Sequence, residues 1–153
     1  MLSGHWTYRS YRNLTKLVGE DPQAALALIF SEGVFELQQS ADGRVEGGLG
    51  MATSYALHIT GSVETAGNGL GFTLIGEGLG GTVTAGWRYD YRGVVSYMWP
   101  NGVDQIPSLL GTVVRVKAHG PNAPAGCTAS FIAVRHADNP PPRTARPRSS
   151  LLR

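Results

Sequence analysis

Hydrophobic and polar residues alternate along much of this chain, most clearly in Trp87-Arg88-Tyr89-Asp90-Tyr91-Arg92. A period of two places such alternation on separate faces only in a β-strand. Past Gly93 the pattern continues, so one face carries Trp87, Tyr89, Tyr91, Val95, Tyr97 and Trp99, and the other Arg88, Asp90 and Arg92. Similar segments recur between glycine-rich breaks and predict eight strands, near 4–12, 33–40, 43–51, 54–64, 70–78, 83–99, 108–118 and 126–136. Turn chemistry marks several of the breaks: Ala41-Asp42-Gly43, Gly67-Asn68-Gly69, Gly80-Gly81 and Pro100-Asn101-Gly102. Short strands at even spacing predict an all-β sandwich or barrel.

One segment departs from the period of two. Asp21-Pro22-Gln23-Ala24-Ala25-Leu26-Ala27-Leu28-Ile29-Phe30 predicts a short helix. Asp21 is suited to cap its free amides, Pro22 to its first position, and the Ala and Leu residues to its interior. It lies in a connection of about twenty residues between the first two strands, far longer than a hairpin loop. The chain end is a different material. From Asp138-Asn139-Pro140-Pro141-Pro142 to Arg153 it is proline-rich, basic and poor in apolar residues. The expected organisation is one β-domain over 1–137 and a flexible tail over 138–153.

Composition narrows the function classes. Four arginines (Arg143, Arg146, Arg148 and Arg153) account for the excess positive charge, which leaves residues 1–142 near neutral or slightly acidic. A folded basic face for nucleic acid is therefore not expected. The single cysteine, Cys127, excludes an intrachain disulfide and a cysteine-based zinc cluster, and fits a cytoplasmic location. No apolar run reaches the roughly 20 residues of a membrane-spanning helix, and Met1-Leu2-Ser3-Gly4-His5-Trp6 lacks the form of a signal peptide. No phosphate-binding loop, dinucleotide fingerprint or nucleophile elbow is present, and no cofactor is expected.

Gly4-His5-Trp6 opens the first strand, a long connection follows, and Arg135 ends the last strand in Phe131-Ile132-Ala133-Val134-Arg135. This combination resembles the calycin barrels: lipocalins, fatty-acid-binding proteins and avidins. The resemblance implies an antiparallel eight-stranded up-and-down barrel over residues 4–136, with the short helix between its first two strands. It also implies structural roles for Trp6 and Arg135, with the guanidinium covering the indole at the closed end. Residues 13–32 would stand where a lipocalin's mouth loop stands. A second lipocalin signature, paired cysteines and an alignable biotin site are not found. Allene oxide cyclases and related bacterial cyclases use barrels of the same size, but their catalytic residues have no match here.

With Trp6 facing inward, Tyr8 and Ser10 do so too. The inward set elsewhere becomes Phe35 and Leu37; Val45 and Leu49; Tyr55, Leu57 and Ile59; Phe72 and Leu74; Trp87, Tyr89, Tyr91, Tyr97 and Trp99; and Val114 and Val116. Such an interior is either a solid core or a site for a flat, partly polar molecule, with Tyr8, Tyr55, Phe72, Trp87, Tyr89, Tyr91 and Tyr97 as candidate ligand-binding residues. His5, His58, His119 and His136 show no metal-ligand spacing, and no metal site is expected. His58 falls on an outer face, and becomes an acid–base candidate only if its strand is turned over. Arg88, Asp90 and Arg92 form a solvent ladder. If the charged face points inward instead, Asp90 is a candidate for orienting an anionic substrate.

Three functions fit these features. The favoured one is a barrel that binds a small, largely apolar or aromatic ligand. The second is a barrel isomerase or cyclase, in which Asp90, His58 or an inward Tyr carries protons. The third is an oligomeric interaction module without a ligand, such as a homodimer, whose aromatic strand face meets another copy. A charged group in the cavity favours the enzyme, and a cavity with only tyrosine hydroxyls favours the binder.

Overall fold

A computed structural model describes residues 1–14, 20–52, 54–67 and 69–136. The strands are β1 (Gly4–Arg12), β2 (Ile29–Gln39), β3 (Arg44–Ala52), β4 (Tyr55–Ala66), β5 (Gly69–Gly78), β6 (Arg88–Val95), β7 (Ser108–Arg115) and β8 (Thr128–Arg135). Among the described residues one helix, α1 (Pro22–Leu26), lies between β1 and β2. Each strand pairs antiparallel with its neighbours in sequence, and β8 pairs back onto β1 from Trp6↔Arg135 to Arg12↔Ala129. The result is a closed up-and-down barrel, in which each of the described strands is paired on both sides. The expected tail, 138–153, lies outside the described residues.

Helix α1 begins as its sequence dictates. Asp21 Oδ1 accepts from the Gln23 amide at 2.9 Å, and Pro22 occupies the first turn. It stops at Leu26, short of the expected Phe30, because strand pairing takes over. The Arg12 amide donates to the Leu28 carbonyl at 2.8 Å, and Ile29 and Phe30 already belong to β2. A helix this short is marginal without tertiary support.

The interior is built from alternate residues. Trp6, Tyr8, Phe35, Leu37, Val45, Leu49, Leu57, Ile59, Phe72, Leu74, Tyr89 and Tyr91 are all buried, as their strand phases predict. Large and small residues interlock across the ladder. Gly93 stands opposite Phe72, where an added Cβ would fall 2.6 Å from the Phe72 ring. Gly111 stands opposite Phe131 in the same way, at 2.8 Å.

One end is sealed by the start of the chain. Leu2 is fully buried there, and its carbonyl accepts from Trp6 Nε1 at 2.9 Å. The Leu2 amide donates to Gln39 Oε1 at 2.8 Å, and Ser3 Oγ accepts from the Gln39 amide at 2.9 Å. The Arg135 guanidinium carbon lies 5.8 Å from the centroid of the Trp6 ring. Gly4 adopts φ +132°, a conformation that favours glycine, and a Cβ there would meet Arg135 Nε at 3.3 Å. The backbone and the close approach together explain a glycine two residues before the tryptophan.

Further sequence expectations are corrected, among them the inward place expected for Tyr55, which is 44% exposed. The strand expected over 83–99 is only β6, Arg88–Val95. Alternation continues beyond it, but the chain leaves the sheet after Val95 and returns at Ser108. Tyr97 and Trp99 therefore do not face the interior. They are 69% and 70% exposed on this connection, packed edge to face on each other at 5.1 Å. Strand β7 has the opposite phase to that expected. Leu109, Val113 and Arg115 are buried, whereas Val114 is half-buried and Val116 is exposed. The inward positions of β7 hold a glycine and an arginine, which made the outer face look the more apolar.

Candidate functional site at the open end

The end opposite Trp6 is not filled. A partly enclosed cavity of about 170 Å³ lies among Tyr8, Phe30, Ser31, Met51, Trp87, Tyr89, Tyr91, Arg115 and His119. Larger hollows of about 650 and 430 Å³ lie outside the barrel. The first is lined by the β2–β3 hairpin alone, and the second runs over the outer side of β3, where Gly48 and Gly50 leave space. Both are more open to solvent than the aromatic cavity and include none of its rings.

Several connections deliver the rim of the cavity. Phe30 arrives with the start of β2, just after α1. Trp87 closes the β5–β6 connection, which is folded around the buried Thr84. The Thr84 hydroxyl donates to the Ala56 carbonyl at 2.8 Å and accepts from the Leu79 amide at 3.1 Å. His119 comes from the β7–β8 connection, where its amide donates to the Ala123 carbonyl at 3.0 Å. Register shifts at Ser10/Tyr11 in β1 and Gly50/Ala52 in β3 lie at this same end. Such irregularities are common at barrel rims.

The polar centre consists of Tyr89, Arg115 and His119. Arg115 is 8% exposed, and its Nε donates to Tyr89 Oη at 3.2 Å. Its Nη1 donates to the Pro124 carbonyl at 3.1 Å, which ties the β7–β8 connection to the barrel wall. The guanidinium also lies over the Phe30 ring at 5.1 Å. Tyr89 Oη is 2.5 Å from His119 Nε2. The phenolic oxygen thus accepts from Arg115 and shares a second hydrogen bond with the imidazole, whose tautomer sets the donor. Burial, reinforced by Arg115, holds the His119 pKa below the usual imidazole value. The imidazole stacks on Trp87, with ring centroids 3.8 Å apart.

The floor is aromatic. The Tyr8 ring meets Phe35 at 5.0 Å, Phe131 at 5.4 Å and Tyr91 at 6.2 Å. Burial raises the pKa of both Tyr8 and Tyr91, so both hydroxyls stay protonated. Among the candidate ligand-binding residues, Tyr8, Trp87, Tyr89 and Tyr91 line the cavity. Tyr55 is exposed at the rim, 5.8 Å from Trp87. Phe72 is buried deeper, against Phe131, and Tyr97 is remote on the β6–β7 connection.

The catalytic candidates lie elsewhere. Arg88, Asp90 and Arg92 do form the outer ladder, with Arg88 Nε 3.1 Å from Asp90 Oδ1 and Arg88 Nη1 3.8 Å from Glu77. The inverted arrangement, with Asp90 inside, is overturned. His58 is also on the outside, 4.0 Å from Glu46. Sequence reasoning missed Phe30, Ser31, Met51, Arg115 and His119. A lone arginine in the apolar run Leu109-Leu110-Gly111-Thr112-Val113-Val114-Arg115-Val116 was the available signal for Arg115. His119 lies in a connection and has no spacing signal.

Among the described residues no cluster of three or more His, Cys, Asp or Glu side chains could hold a metal ion, and no helix is long and apolar enough to cross a membrane. No protein-family model matches this sequence, and no curated protein matches it. What the chain shares with the calycin barrels at this level is the architecture, a closed antiparallel barrel of eight strands.

Proposed function

We propose that this protein is a calycin-like carrier barrel that binds a small, largely aromatic molecule at its open end. The observation that carries this reading is the contrast between the two ends. At the Trp6 end the buried Leu2 and Trp6 are bonded together and covered by the chain, while the Tyr89 end holds a cavity walled by rings. An eight-stranded barrel is just wide enough to be filled by side chains or to hold one small ligand. A cavity of about 170 Å³ suits a single ring, since an engineered apolar cavity of about 150 Å³ accepts benzene. Trp87 and Tyr91 supply ring surface, Tyr8 closes the floor, and Tyr89 offers a positioned hydroxyl. The Gly4, Trp6 and Arg135 arrangement supports the calycin likeness, with both side chains in a structural role far from the cavity. Native mass spectrometry of the protein as purified tests the reading, followed by titration of the molecule found. Binding should weaken about tenfold in Tyr89→Phe if the hydroxyl orients that ligand. Unchanged affinity in both Tyr89→Phe and Tyr91→Phe would count against it.

One observation favours the enzymatic reading. A charged group stands inside the cavity, and Tyr89 Oη is held between Arg115 and the neutral His119. In a barrel isomerase, Tyr89 Oη passes its proton to His119 Nε2 as it takes one from a ligand carbon. The reverse transfer returns a proton to a neighbouring carbon, with Arg115 stabilising the oxyanion between the two steps. Asp90 and His58 have no part in this scheme. Deuterium exchange into a bound small ketone in heavy water, lost in Tyr89→Phe, would mark the enzyme. Its absence in the unmodified protein would leave the carrier.

A further inference from the structure

We propose that the ligand of the open end is a planar, single-ring carboxylate whose acid group pairs with Arg115. The proposal rests on the container reading above and specifies its contents.

Its ground is a charge that the fold leaves without a carboxylate. A guanidinium removed from water is costly unless paired. Arg115 is nevertheless buried on the inner face of β7, at the wall of the cavity. No Asp or Glu lies within ion-pair distance of it among the described residues. The acids that do form ion pairs with arginines, Glu32, Asp42, Glu77 and Asp90, do so on the outside. Inside, Arg115 meets only neutral oxygens, those of Tyr89 and Pro124. These two bonds engage Nε and Nη1 and fix the plane of the group. A guanidinium has five N–H donors, so a planar acceptor with two oxygens can still be bound.

The surroundings complete the specification. The lowered His119 pKa leaves no competing positive charge at neutral pH, and Trp87, Phe30 and Tyr91 give the cavity aromatic walls. A carboxylate seated at Arg115 places its ring against these walls. The volume admits one ring and not a long acyl chain, which separates this site from a fatty-acid pocket.

Calorimetric titration of the full chain at neutral pH, with benzoate, benzamide, toluene and benzylammonium as probes, tests this. Benzoate should bind at least about tenfold more tightly than benzamide, a difference of about 1.4 kcal/mol, and benzylammonium should bind weakest. Arg115→Met should erase the benzoate preference while toluene affinity stays within about threefold. Arg115→Lys keeps the charge and serves if the methionine variant fails to fold. It should retain the preference for benzoate over benzylammonium. Benzamide or toluene binding as tightly as benzoate would overturn the carboxylate assignment and leave the container standing. A tenfold preference that persists in Arg115→Met would overturn it as well. If none of the four binds at about 10 mM, the container reading falls together with the proposal.

Discussion

The seal at the Trp6 end can be tested by a single truncation, Leu2→Ala. Leu2 is fully buried, and its amide and carbonyl bond Gln39 and Trp6 at 2.8 and 2.9 Å. Alanine keeps both backbone bonds, so the loss is confined to the isobutyl group and the space it vacates. Buried Leu→Ala substitutions cost about 2–5 kcal/mol. Leu2 lies before β1, where the chain has some freedom to settle inward, which places the expected loss at about 2–3 kcal/mol. For a domain of this size that lowers Tm by roughly 6–12 °C. Urea unfolding followed by tryptophan fluorescence measures it, with an unchanged m-value showing that the unfolded state is not altered. Ligand affinity at the other end should change by less than about twofold. A loss below about 0.5 kcal/mol would show that the first residues only rest on the barrel and do not close it.

Other perturbations probe the packing, the rim and the outer surface. Gly93→Ala forces a methyl group against the Phe72 ring and the Leu110 carbonyl, and should cost about 1–3 kcal/mol in urea unfolding. Lowering pH should weaken the fold through His119. Its folded pKa lies below the ordinary value of about 6.5, so the unfolded chain binds the proton first. The contribution is complete above about pH 6.5 and is lost as pH falls through the folded value; in His119→Gln, urea midpoints should show a smaller slope over that window, and an identical slope would contradict the assignment. Tyr97→Ser combined with Trp99→Ser should leave ring-ligand affinity unchanged and stability within about 0.5 kcal/mol, because both rings project into solvent. Weakened binding in that double variant would return the β6–β7 connection to the site.

Strands were legible wherever one face was continuous in character. In β1, Trp6, Tyr8 and Ser10 alternate with His5, Thr7 and Arg9, and only one phase buries the rings. Helix α1 was legible at its start, where a cap and a proline act locally, and not at its end, where pairing between β1 and β2 decides. Strand β7 was ambiguous because both of its faces are apolar, and the phase was set by partners distant in sequence. Gly111 must stand opposite Phe131, and Arg115 must reach Tyr89. The site was legible in its strand-borne rings, Tyr8, Tyr89 and Tyr91. Phe30 was hidden because the sequence reads as helix up to it, and His119 because its place depends on how the β7–β8 connection folds over the rim. The alternation through Tyr97 and Trp99 misled because periodicity does not record where a chain leaves its sheet.

Both breaks in ladder register, after Ser10 in β1 and after Gly50 in β3, fall at the same rim. Inserting or deleting a residue in that collar should therefore leave the ladder around Trp6 in its present alignment. The Trp6 seal and the aromatic cavity thereby lie in separate parts of the molecule. Rim segments exchanged by grafting should reshape the cavity while the melting behaviour stays that of the parent.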